Sequence, residues 1–303
     1  MFEIWVPITL VAAVFQNIRT SLQKYLKGRL STAGATYVRF LYAIPFAVLY
    51  VYLLNQVGGY EVPELNQRFL FFAMVGGLAQ IGGTALLIYL FSFRNFVVGT
   101  AYSKTETVQT ALFGIFVLAD PITLWAFVAI VISLAGVMLL AIAHQSFGVK
   151  ELFASLTNKT ALIGIASGAF FGVAAISYRA ASRSIMNADD FVMSAACTLA
   201  FVILFQTVTM TIYLYLKEPG ELAAVVKAWK VAGIVGLTGM LASAGWFTAM
   251  TIQNAAHVRA LGQIELFLAF VTSVIFFREK VNKVEISGIG FLIFGICVLL
   301  LWG

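Results

Sequence analysis

Residues 254–299 read NAAHVRALGQIELFLAFVTSVIFFREKVNKVEISGIGFLIFGICVL, and residues 95–140 read NFVVGTAYSKTETVQTALFGIFVLADPITLWAFVAIVISLAGVMLL. The two stretches lie side by side without a gap at an offset of 159 residues. Asn95 falls on Asn254, Ala101 on Ala260, Glu106 on Glu265 and Gly136 on Gly295. Asp120, which closes one apolar run, falls on Glu279, which closes the other. Few residues are identical. The duplication rests on a mid-run acid and a run-closing acid that recur in register.

Outward from these stretches the chain resolves into ten apolar runs, at about 4–24, 32–55, 68–92, 96–118, 121–143, 160–180, 190–216, 229–252, 258–277 and 284–302. About 20 apolar residues carry a helix across a bilayer. Apolar residues make up 61% of the chain and charged residues 11%, with a mean hydropathy of +0.97. Soluble domains run at roughly 45–50% and about 25%. So few charges cannot clothe a water-soluble surface. The expected fold is an all-α membrane protein of ten transmembrane helices arranged as two inverted five-helix repeats. Residues 1–143 form the first repeat, 144–159 a connecting segment and 160–303 the second. Five spans per copy turn the second copy upside down in the membrane. Such repeats put a substrate site at their interface near midplane, and rocking of one against the other gives alternating access.

Lys and Arg in alternate loops set the orientation. One set of loops holds Lys24, Lys27, Arg29, Arg94, Lys150, Lys159, Lys217, Lys227, Lys230, Arg278, Lys280 and Lys283; the other holds Arg68, Arg179 and Arg183. Both termini are therefore expected outside the cytoplasm, in a multi-pass protein of the cell (inner) membrane. The net charge of +6 and pI near 9.3 come from these scattered loop residues, which form no nucleic-acid face. Cys197 and Cys297 lie inside apolar runs and read as buried small hydrophobes, so neither a disulfide nor a metal site is expected. No Lys or Arg precedes the first run, which reads as a retained span. Long continuous runs exclude a β-barrel.

An acid in mid-span, a second acid fourteen residues on at the helix end, and a further Gly-centred span resemble the EamA-type transporters of the drug/metabolite transporter (DMT) superfamily. The second copy is the closer match, in Gly262-Gln263-Ile264-Glu265-Leu266, Phe276-Phe277-Arg278-Glu279-Lys280, and Gly288, Gly290 and Gly295. Arg39 in Tyr37-Val38-Arg39-Phe40 looks like the Arg that this family often carries early in its second helix. Where the family often has Pro after the mid-span acid, this chain has Thr107 and Leu266, so no proline kink is expected there. The resemblance implies export of compounds such as amino acids or drugs.

Ionisable groups inside a span cost about 2.5–3.5 kcal/mol on insertion scales and mark functional sites. Glu106 and its mirror Glu265 are candidates for substrate or proton binding, with the proton as a candidate coupling ion. Tyr102, four residues before Glu106, and Gln109, three after it, share its helical face and are candidates for lining the cavity. Lys104, two residues before Glu106, points to nearly the opposite face; it is a further substrate-binding candidate that either reaches a neighbouring helix or snorkels toward the cytoplasmic side. Arg39 enters from the same side to similar depth, which makes it the expected partner of Glu106 or a contact for a substrate carboxylate or phosphate. In the first span Gln16, Thr20 and Gln23 form a polar stripe with Asn17 beside it and Arg19 on its flank, which faces protein or water. Tyr37, Tyr42, Tyr89, Tyr102 and Trp246 have polar tips that need partners inside the bundle. His257 and Arg259 read as anchors near the outer mouth. Gly164, Gly168 and Gly172, like the glycines of the third and eighth spans, read as close helix contacts.

A carrier for a small polar or amphipathic metabolite fits best, secondary or facilitative because no nucleotide motif is present. No cofactor is expected; the expected partners are a small-molecule substrate and membrane lipid. Uptake is the alternative direction. A membrane-embedded lipid-modifying enzyme would need clustered His, Asp or Cys; the single acidic pair is Asp189-Asp190, and a helix N-cap explains Asp190 better. An internally inverted monomer does not suit a pore-ring channel.

Overall fold

The computed structural model describes residues 3–93, 96–143, 154–187, 190–276 and 281–303. Arg94, Asn95, Lys150, Asp189, Arg278, Glu279 and Lys280 lie outside them, as does most of the connecting segment. The expectations for those residues, including the alignment of Asp120 with Glu279, are left at the level of sequence.

The described elements are helical: α1 (Trp5–Leu26), α2 (Thr32–Leu41), α3 (Ile44–Gln56), α4 (Gln67–Leu90), α5 (Phe96–Ser103), α6 (Glu106–Phe113), α7 (Leu124–Ile142), α8 (Lys159–Ser184), α9 (Phe191–Lys217), α10 (Pro219–Lys227), α11 (Trp229–Ile252), α12 (Ala255–Gly262), α13 (Ile264–Phe276) and α14 (Lys283–Trp302). A π-helical turn, Gly114–Leu118, continues α6, and a short 3₁₀ turn, Ser155–Thr157, precedes α8. Polar side chains at the helix starts take up backbone N–H groups that have no intrahelical acceptor. Ser31 accepts from Gly34 at 3.0 Å, Asn66 from Phe69 at 2.8 Å and Thr123 from Ala126 at 3.0 Å. Asp190 caps α9 through the Met193 N–H, and Asn282 and Glu285 form a reciprocal capping box on α14.

Among the described residues, seven helical segments are long and apolar enough to cross a bilayer. The chain is a multi-pass membrane protein. The three other runs read as spans fall on α1 and on the pairs α5/α6 and α12/α13. Helix α1 has the length but carries Gln16, Asn17, Arg19, Thr20 and Gln23; the other two runs are each broken into short helices.

Three long helix pairs dominate the packing: α4 along α8, α1 along α11, and α7 along α14. Small residues let the backbones approach, as van der Waals contact in lipid requires. At Gly136 a Cβ would meet the Gly288 carbonyl oxygen at 2.6 Å, which fixes how closely α7 and α14 lie. At Gly164 a Cβ would run into the carbonyl oxygen of Gly99, pressing α8 onto α5. Backbone cannot yield as a side chain does. Gly164→Ala should therefore destabilise the protein by about 1–3 kcal/mol, the usual cost of overpacking, seen as a lower Tm in detergent. Gly233→Ala, where a Cβ would meet nothing within 4 Å, should be neutral or slightly stabilising.

Candidate functional site

The fourth and ninth spans are each interrupted one or two residues before their acid. After α5 the Lys104 N–H bonds the Ala101 carbonyl at 3.0 Å, and the Thr105 N–H bonds that of Tyr102 at 3.1 Å, tightening the chain into a turn. Hydroxyls compete for the local carbonyls: Thr105 Oγ1 donates to Tyr102 O at 2.7 Å and Thr107 Oγ1 to Lys104 O at 3.2 Å. In the second copy Gln263 N donates to Ala260 O at 3.2 Å and Leu266 N to Gln263 O at 3.0 Å. Gln263 stands at the position of Lys104 under the 159-residue offset. The two breaks also touch, because Gln263 Nε2 donates to Thr107 Oγ1 at 3.1 Å and to Lys104 O at 3.5 Å. Glu106 and Glu265 thereby fall in the first turns of α6 and α13, where the positive end of the helix dipole favours a carboxylate.

Both acids line a central cavity of about 230 Å³. Lys104 Nζ makes an ion pair with Glu265, whose other oxygen accepts from Gln16 Nε2 at 3.1 Å. Arg259 Nε lies 3.0 Å from Glu106 Oε1, without the alignment of a hydrogen bond. The Arg259 guanidinium also lies over the Trp246 ring, 4.9 Å from its centroid, a cation–π contact. Arg19 and Arg39 face the same cavity, 6% and 5% exposed. Arg39 Nη1 donates to Thr84 Oγ1 at 3.1 Å. Arg19 Nη2 reaches Thr20 Oγ1 at 3.4 Å, and its Nε is buried with no partner.

Several expectations are corrected. Arg39 is not the partner of Glu106: Arg259 is, and it belongs to the cavity rather than to the outer mouth. Lys104 and Glu106 both line the cavity, because the turn between them breaks the helical phase that would set them on opposite faces. The same turn removes Tyr102 from that face; it is buried with Val98, Ile142 and Ala161. Gln109 donates to Thr105 Oγ1 at 2.9 Å and to Ile165 O at 3.4 Å, and it does not line the cavity. Tyr37 and Tyr42 bond Thr211 and the Val225 carbonyl away from it, and Tyr89 is exposed. Gln23 donates to Ala35 O at 2.9 Å, tying α1 to α2. Gln16, Asn17, Thr20 and Trp246 do line the cavity. Residues the sequence reading passed over are Gln80, Phe171, Tyr178 and Ser243. The 159-residue offset carried beyond residues 95–140 is a signal that reaches one of them: it pairs Arg19 with Tyr178, as it pairs Leu87 with Trp246 and Phe91 with Met250, all cavity-lining.

A second polar cluster closes one end of the bundle. Arg179, expected in a loop, is buried in α8. Its Nε donates to Asp120 Oδ2 at 2.7 Å and its Nη2 to Oδ1 at 3.5 Å. Its Nη1 takes the terminal carbonyls of α11, Met250 O at 2.7 Å and Gln253 O at 2.5 Å. A guanidinium suits carbonyls at a helix C-terminus by both geometry and charge. Ala119, in the left-handed region at φ 52°, turns the chain just before Asp120. The N-terminal segment joins the same end, with Glu3 accepting from Trp5 at 2.7 Å and from Gln253 at 3.5 Å.

Breaking a buried ion pair by removing one partner costs roughly 3–5 kcal/mol, because the other charge stays buried. Glu106→Gln and Arg259→Gln should each lower stability on that scale, and the double variant should recover much of the loss. Thermal unfolding of the four proteins, analysed as a double-mutant cycle, measures the coupling; additive losses would mean that the pair contributes none.

In comparison with known proteins, residues 158–301 match the EamA-like transporter family. No curated protein matches the chain in sequence. A solved crystal structure superposes with a TM-score of 0.70 at 16% identity, over 98% of this chain and 96% of the other; at that identity the likeness concerns the fold alone. Glu265, the stretch Arg278-Glu279-Lys280 and Gly288, Gly290 and Gly295 lie inside the matched segment, whereas Arg39, Glu106 and Asp120 lie outside it. The chain thus carries a segment, residues 158–301, that is similar to the EamA-like transporter family.

Proposed function

We propose that this protein is a secondary or facilitative transporter that exports small polar or amphipathic metabolites by alternating access between two inverted five-helix repeats. The observation that carries the reading is the mirrored pair of broken helices, each delivering a carboxylate to one central cavity. Discontinuous helices meeting at midplane are how inverted-repeat transporters build a substrate site. The packing supports the same symmetry. The first helix of each half, α1 or α8, packs on the third long helix of the other, α11 or α4, and the last helices α7 and α14 pack on each other. Exchange of the halves maps this pattern onto itself.

The Arg179 cluster borders the cavity at Met250, which lines the cavity and whose carbonyl accepts from Arg179 at 2.7 Å. Thr20 of α1 and Leu87 and Phe91 of α4 belong to helix ends that lead toward Lys24, Lys27 and Arg29. Asp120, Arg179 and Gln253 close the end that carries the N-terminal segment. With the Lys/Arg-rich loops in the cytoplasm, this is an inward-facing arrangement whose outer gate is the Arg179 cluster. Uptake would run the same geometry in reverse, and flux from inside-out vesicles against right-side-out ones distinguishes the two.

Two outcomes are expected. Alkaline phosphatase fused to the C-terminus should be active, since both termini are read as extracytoplasmic; an active cytoplasmic reporter there would reverse the orientation. In a protein with Cys197 and Cys297 replaced, Ser243→Cys should react with a membrane-impermeant thiol reagent from the cytoplasmic side. Adding Asp120→Asn should loosen the gate and raise labelling from the outer side several-fold. Unchanged labelling in that variant would remove the gate from the mechanism.

A further inference from the structure

The cavity holds four cationic side chains and two acidic ones, and the acids are taken. Glu265 is held by Lys104 and Gln16, and Glu106 by Arg259. Arg19 and Arg39 are left with no carboxylate at ion-pair distance among the described residues. They lie together, since a Cβ at Gly239 would be 3.3 Å from Arg19 Cδ and 3.9 Å from Arg39 Cβ. Each guanidinium carries five N–H donors. Arg39 is seen to spend one on Thr84, and Arg19 makes a single long contact to Thr20.

Two adjacent buried cations repel each other and have both lost water. A purely structural role would supply a counter-ion, as Asp120 does for Arg179. Nor does the duplication account for them. Under the 159-residue offset Arg19 corresponds to Tyr178 and Arg39 to Thr198, and both are neutral and bonded within the protein. Lys104 and Arg259 are likewise unmatched, standing opposite Gln263 and Thr100, but each of those cations has a carboxylate, whereas Arg19 and Arg39 have none at ion-pair distance among the described residues.

We propose that Arg19 and Arg39 form an anion-binding subsite, so that the transported substrate is a small organic anion whose carboxylate or phosphate is gripped by the two guanidiniums. This rests on the transporter reading and gives it a substrate class. Guanidinium forks match both oxyanions bidentately. The body of the substrate meets Phe171, Trp246 and Phe247 on the cavity wall. A cavity of about 150 Å³ holds benzene, so about 230 Å³ takes a benzene-sized body with its acidic group.

The test is thermal stabilisation of the purified full-length protein by benzoate, phenyl phosphate, inorganic phosphate, benzamide and benzylamine at equal concentration and ionic strength. Benzoate or phenyl phosphate should raise Tm in a saturable way, while benzamide and benzylamine should not. Stronger binding of benzoate identifies a carboxylate substrate; stronger binding of phenyl phosphate, matched in part by inorganic phosphate, identifies a phosphate. Arg39→Gln and Arg19→Gln should each weaken the anion by about tenfold or more, the value of a charged hydrogen bond. Arg39→Lys, which keeps the charge and loses the fork, should fall between. If benzamide or benzylamine stabilises as well as benzoate, or if no anion stabilises, the subsite is refuted on the wild-type protein alone, whatever the variants do. Anion binding without saturable flux or counterflow in proteoliposomes would overturn the transporter reading and leave the subsite standing.

Discussion

The architecture depends on keeping broken helices satisfied inside a membrane. In hydrocarbon no water takes up a freed N–H or C=O, and each unmet group costs several kcal/mol. Two breaks among membrane-crossing helices are therefore tolerable only if they face protein or a wet cavity and bond locally. Here they bond to each other. The Gln263 amide reaches across to Thr107 and to the Lys104 carbonyl, while the Thr105 and Thr107 hydroxyls cover carbonyls of the turn before α6. Because the breaks meet, α6 and α13 start from neighbouring points, and their first-turn acids reach one cavity. The ion pairs follow: Lys104, from the first break, reaches Glu265, beyond the second.

This explains which parts of the chain were legible from sequence. Uninterrupted runs located their helices to within a few residues: 229–252 matches Trp229–Ile252 and 284–302 lies within one residue of α14, while 160–180 stops four residues short of Ser184. Hydropathy reports where a segment lies, and for a straight helix that is nearly all there is to know. It does not register backbone phase. Residues 96–118 read as one span because the polar stretch 103–110 is flanked on both sides by apolar residues, with no Pro to mark a break. A straight helix then puts Tyr102, Glu106 and Gln109 on one face and Lys104 on the other, and each placement but that of Glu106 fails once the turn intervenes. The Arg39 assignment fails for another reason. Equal depth in the bilayer makes two residues candidates for contact, but which helices are neighbours decides, and α12 brings Arg259 to Glu106.

Charge was legible in kind but not in place. Ionisable residues inside apolar runs are costly against lipid, and Arg19, Arg39, Lys104, Glu106 and Glu265 line one cavity. Arg259 and Arg179 were assigned to a mouth and a loop since each stands within a few residues of a span end. Both side chains instead turn inward, where a carboxylate and, for Arg179, the carbonyls of a helix C-terminus repay some of their lost hydration.

Symmetry in the fold and asymmetry in the charge have different jobs. In the proposed alternating access, a pair of inverted repeats has two related arrangements, one facing each side, a reading that the reciprocal packing of α1 on α11 and α4 on α8 supports. Were the cavity as symmetric as its walls, a substrate would be held alike in each arrangement and would bias neither. Only differential affinity shifts such an equilibrium. The acids obey the symmetry, Glu106 with Glu265, whereas Arg19 and Arg39 break it, standing opposite Tyr178 and Thr198. In the proposed mechanism a ligand held at Arg19 and Arg39 would move with the first half, and what it loses or gains on the second half would set the direction of the bias.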